Sequence, residues 1–254
     1  MSPAEIKEVA WLLMLIPLGI VLGAGIFFIC CAWRRASRLK SQPFPGQMPA
    51  SSALSGASRS SPFEQPSRWL AVKASRASVV QAALNLHRPT PCSWEEGLAE
   101  AREDKLFISP PISGWVLVVG PGLPEPAEDV DACYRFLAGL SRKLGHLQFF
   151  SVSRVVNYHC WALMERGHVF RAYAWAGETL WNQGPVTAAE KELQMLCLDY
   201  GGEQNPFALR EALAATAEKV NQLAARWSVD PAAVSPAMWN GRGIVGEFSQ
   251  SKPH

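Results

Sequence analysis

The side chains best equipped for chemistry lie in one stretch, NYHCWALMERGHVFRAYAW (residues 157–175), where His159 and Cys160 stand side by side. An imidazole next to a thiol makes a nucleophile and its base only if both point to one place. The flanking pattern forbids that. Two apolar runs surround Glu165-Arg166-Gly167, a short loop with glycine where a left-handed conformation is needed, which is a β-hairpin signature. Side chains alternate along a strand, so His159 and Cys160 point to opposite faces. Pairing Met164 with His168 sets the expected register. One face then has Cys160 opposite Ala172, Ala162 opposite Phe170 and Tyr158 opposite Ala174. The other has His159 opposite Tyr173, Trp161 opposite Arg171 and Asn157 opposite Trp175.

The first face is small and apolar, as a surface beneath a helix should be. The second gathers Asn157, His159, Trp161, Arg171, Tyr173 and Trp175, a mixture suited to stacking, cation–π contact and anion recognition. The following AGETLWNQGP places Glu178, Trp181 and Asn182 on a loop that could fold over the rim. These residues, Asn182 aside, form the candidate ligand-binding set, with a protein segment or a small anionic ligand as occupant. In the competing arrangement a long C-terminal helix covers the face and its polar groups satisfy one another.

Three functions are compatible with this pattern. One is a ligand- or protein-binding or sensing module. The second is a hydrolase or transferase with His159 as base and Glu178 as its orienting or acid partner, although no nucleophile motif accompanies them. The third is an interaction or immunity-type scaffold that acts by surface complementarity.

No cofactor or metal is implied. VVGPGLPEPAED resembles a dinucleotide loop only in its Gly-x-Gly. Glu125 occupies the third glycine position, two prolines remove backbone donors, and Glu128, Asp129 and Asp131 would repel a pyrophosphate. Cys92, Cys133, Cys160 and Cys197 have no C-x-x-C spacing, which fits a reducing compartment. Six of the 24 Lys and Arg and three of the 22 Asp and Glu precede Ser67, leaving 18 basic against 19 acidic side chains from there on. That balance provides no basic field for nucleic acid.

The elements that must position these residues follow from periodicity. RWLAVK predicts a strand, ASVVQAALNL a helix, and SWEEGLAEARED a helix opened by a Ser93–Glu96 capping box. KLFIS and WVLVVG predict strands, DVDACYRFLAGLSRKLG a helix closed by Gly145, and LQFFSVS a further strand. Leu209, Leu213, Thr216, Val220, Leu223 and Trp227 fall on one face of a single amphipathic helix. Asp230-Pro231 then predicts a cap and first position of a short last helix. The expected fold is a single α+β domain over residues 67–236, with a mixed or antiparallel sheet of about five to six strands packed by helices. Residues 237–254 read as a loose tail. This order of elements matches no superfold closely enough to transfer a function.

Ahead of the domain, after a short tail (residues 1–8), Val9 to Trp33 is an uncharged run of 25 residues. As a helix it would extend about 37 Å, enough to span a bilayer as a signal-anchor. Gly19 and Gly23 form a G-x-x-x-G pair through which two such helices could dimerise. Arg34, Arg35, Arg38 and Lys40 follow it against Lys7 before it, which predicts the N-terminus outside the cell membrane and the C-terminal domain in the cytoplasm. Residues 34–66 complete the connection, their 41–66 portion holding seven Ser and five Pro in 26 positions. As a coil that portion would have an end-to-end distance of roughly 28 Å.

Overall fold

The computed structural model describes residues 67–102, 104–201, 206–235, 238 and 241–248. The expected membrane span, its Gly19/Gly23 pair, the basic flank and the linker lie outside these residues. No helix among the described residues is long and apolar enough to cross a membrane.

Among the described residues nine strands form one sheet, and every neighbouring pair is antiparallel. In chain order the strands are β1 (Arg68–Lys73), β2 (His87–Cys92), β3 (Lys105–Ile108), β4 (Trp115–Val119), β5 (His146–Ser153), β6 (Tyr158–Glu165), β7 (His168–Trp175), β8 (Thr179–Gln183) and β9 (Gly243–Glu247). Their spatial order is β2-β9-β3-β4-β1-β5-β6-β7-β8. The expectation of five to six strands is therefore corrected to nine. The added three are β2, with two prolines in six residues; β8, which looked like a loop; and β9, inside the segment that looked like a loose tail.

Helices cover both faces because the strands are apolar on both. In β1, Leu70 and Val72 enter one core, while Trp69 and Ala71 enter the other. The first core lies under α1 (Ala77–Leu84) and α3 (Val130–Leu144), whose buried stripe includes Cys133, Leu137 and Leu140. The Asp129 carboxylate accepts from Ala132 N at 2.8 Å and starts α3; Gly145, at φ 86°, ends it.

The second core lies under α2 (Trp94–Glu100), α4 (Ala188–Glu192), α5 (Pro206–Glu218) and α6 (Val220–Trp227). Both bonds of the Ser93–Glu96 capping box are present, at 2.8 and 3.1 Å. Gly97 of α2 and Gly243 of β9 clear space for one ring, since a Cβ on either would stand 2.1 or 2.3 Å from a Phe107 carbon.

The single amphipathic helix expected from Leu209 to Trp227 is two helices parted at Lys219. Thr216 Oγ1 donates back to Ala212 O at 2.8 Å and accepts from Leu196 N at 2.9 Å, a side-chain competition that bends a helix. The buried stripe nevertheless continues through Leu213, Thr216, Val220 and Leu223.

Candidate functional site

The β6–β7 hairpin turns on two residues, Arg166 and Gly167, both with positive φ (49° and 89°), so Glu165 rather than Met164 opposes His168. A bulge between Leu163 and Met164 absorbs Phe170, and from there Leu163 opposes Arg171, Trp161 opposes Tyr173, Cys160 opposes Ala174 and His159 opposes Trp175. The expected register is thus shifted by two residues from Ala162 toward Tyr158. A shift of two leaves the division of faces intact. Tyr158, Cys160, Ala162, Ala172 and Ala174 belong to the first core, and Trp161, Tyr173 and Trp175 to the second.

The polar-aromatic face is closed. His159, Trp161, Arg171 and Tyr173 are fully buried and Trp175 is buried, beneath α4, α5, α6 and the strap of residues 193–200. At its centre Arg171 Nε donates to Glu190 Oε1 at 2.8 Å, and both side chains are 0% exposed. Trp161 Nε1 donates to the same oxygen at 2.8 Å. Glu190 Oε2 accepts from Thr187 N and Thr187 Oγ1, each at 2.7 Å, so this carboxylate is also half of the capping box that starts α4.

Arg171 has partners on every nitrogen. Nη1 donates to Asn182 Oδ1 at 2.8 Å and lies 3.1 to 3.3 Å from the carbonyls of Ala172, Gly184 and Gln183; Nη2 lies 3.2 Å from Cys197 Sγ. Removing an ion pair from water is costly unless the remaining donors and acceptors are satisfied, and here they are. The strap is fastened by further bonds: Leu198 N donates to Tyr173 Oη at 3.0 Å, and Thr179 Oγ1 to Leu198 O at 2.9 Å.

His159 differs from its neighbours in having neither ring nitrogen hydrogen-bonded among the described residues. It stacks on Trp161 and Tyr173, at centroid distances of 5.8 and 6.0 Å. Burial pushes its imidazole down to about 4, so it is held neutral. Burial pushes the Cys197 thiol up to about 12, more than the nearby Arg171 lowers it, which leaves no thiolate nucleophile at neutral pH.

The other sequence candidates are not brought together with this cluster. Trp181 faces the first core, where its ring meets Tyr134 edge-on. Glu178 is exposed in the β7–β8 turn, and Asn157 sits in the β5–β6 turn at φ 50°. Glu190 and Thr187 were missed. Their signal was the Thr-x-x-Glu spacing in VTAAE, a second capping box, although nothing in that spacing tells that the carboxylate turns inward.

A second polar cluster fastens the Gly-Pro-Gly loop. Arg68 forms an ion pair with Glu125 and donates to the carbonyls of Pro121 and Leu123, while Ser151 Oγ donates to Glu125 at 2.8 Å. These contacts tie residues 121–125 to the start of β1 and the later part of β5. Among the described residues no group of three His, Cys, Asp or Glu could hold a metal ion, and the four cysteines there are unpaired. No known protein family, curated protein or solved structure matches the chain.

Proposed function

We propose that the chain is a membrane-tethered domain that acts by surface contact with a partner rather than by catalysis. The observation that carries this reading is the closure of the Arg171–Glu190 cluster. The side chains with the richest chemistry hold α4 and the strap to the sheet, and His159 and Glu178 are separated by burial, so they cannot share one proton-transfer path. Apolar side chains at the hairpins remain outside, with Val155, Val156 and Phe170 each more than half exposed. The tether is supported by the uncharged run from Val9 to Trp33 and the basic residues after it.

The test compares two variants in cells that lack the chromosomal copy. His159→Phe preserves ring stacking and removes both nitrogens, and it should restore the function lost on deletion as wild type does. Phe170→Glu should fail to restore it at equal abundance. Loss of function in a folded, equally abundant His159→Phe chain would overturn the reading in favour of hydrolase or transferase chemistry at His159.

A further inference from the structure

The β5–β6 connection is the turn Arg154–Asn157, and its two central residues are valines. Val155 is 95% exposed and Val156 is 68% exposed. Neither serves the turn, since β-branched residues are poor turn formers and tight turns favour Gly, Asn, Asp, Pro or Ser. Neither contributes to a core. An adjacent apolar pair at a protruding tip is different from scattered exposed hydrophobics, because it can enter an apolar phase without the rest of the domain following.

The position of the tip indicates which phase. Val152 N donates to Ser67 O at 2.7 Å, and Arg68 pairs with Ser151. The chain therefore enters the sheet beside the base of this hairpin, and the tip lies at the end of the sheet to which the linker is joined. Residues 34–66 join that end of the sheet to the uncharged run, so it is the end nearest the expected membrane segment along the chain. We propose that Val155 and Val156 insert into the interfacial layer of the membrane that holds the Val9–Trp33 segment, giving the domain a second, shallow contact that fixes its orientation. This rests on the tethered reading above. The turn itself carries exposed Arg154 and the neighbouring loops carry exposed Glu128 and Glu178, so charges of both signs surround the tip, none selects an anionic lipid, and the contact is apolar insertion.

The experiment uses the full chain in its own membranes, with the photoreactive residue benzoylphenylalanine placed at 155 or, as a control at the opposite end of the sheet, at 170. Membranes are washed at alkaline pH and adducts are identified by mass spectrometry. The expected result is a chain retained by the membrane, with lipid adducts at 155 and none at 170. Yield should be unchanged by added salt and lowered about tenfold by Val156→Glu, the factor associated with burial of one aliphatic side chain. A retained chain without lipid adducts at 155, or with protein adducts alone, would overturn the inserted tip while leaving the tether standing. A chain released by the wash would overturn both.

Discussion

Arg171 has a guanidinium closed off from bulk solvent, held by one carboxylate and by neutral acceptors from β7, β8 and the strap. Arg171→Ala would leave Glu190 charged and buried without its partner, and we expect a loss of roughly 3 to 5 kcal/mol in urea unfolding of the Ser67–His254 fragment. Replacing both partners at once, Arg171→Met with Glu190→Leu, removes the stranded charge and should recover part of that loss. His159 gives a separate prediction. Unfolded, its imidazole takes up a proton near pH 6.5; folded, only near about 4. Its neutral form is therefore favoured by folding, and this contribution is fully present above the unfolded value and lost as pH falls through the folded one. The difference is worth roughly 3 kcal/mol. His146, also lowered by burial, acts in the same direction, so the measurement that isolates His159 is the difference between wild type and His159→Phe. The variant should lose markedly less stability between about pH 7 and about pH 4.

At the scale of elements, Phe107 depends on what two others lack. The ring lies edge-on to Trp94, and α2 and β9 approach it through Gly97 and Gly243. In an ordinary helix interior Gly→Ala is stabilising. Here the added methyl meets the ring, and Gly97→Ala should instead cost about 1 to 3 kcal/mol by overpacking, read as a lower thermal midpoint. That contact was invisible in the sequence, whereas much of the scaffold was legible. Ser93 with Glu96 and the apolar runs of β1, β4 and β5 act through neighbours in the chain, so the local pattern reveals them. The strands that escaped notice depend on distant neighbours. HRPTPC has neither alternation nor β-propensity and becomes a strand only against β9; GIVGE is five residues with two glycines, given strand form by β2 and β3. The polar face of the hairpin was legible as a set because period two fixes it. Its closure by the C-terminal helix was legible only as one of two arrangements, and the part of α4 and the strap was not, because no local pattern in residues 186–200 records their destination.

A nine-stranded open sheet has two edges, and each is blunted in the whole molecule. On β8, Asn182 N donates to Tyr200 Oη at 2.6 Å, so a donor that could recruit a further strand is occupied. On β2, Pro89 and Pro91 remove donors, and Arg88 at φ 48° accompanies a break in register. Substituting both prolines with valine should leave the fold intact and shift the Ser67–His254 fragment from monomer toward larger species in light scattering. The place of β9 between β2 and β3 also puts the molecule on a clock. Once Gln183 has left the ribosome, β3, β4, β1, β5, β6, β7 and β8 are all available as mutual neighbours. β2, made before most of them, has no strand to pair with until Gly243–Glu247 follow, and Arg88 meets Glu247 across 159 positions of chain. At ordinary rates of synthesis that wait is on the order of ten seconds. Through that interval the prolines leave the early strand with little to offer any chain but the one still being made.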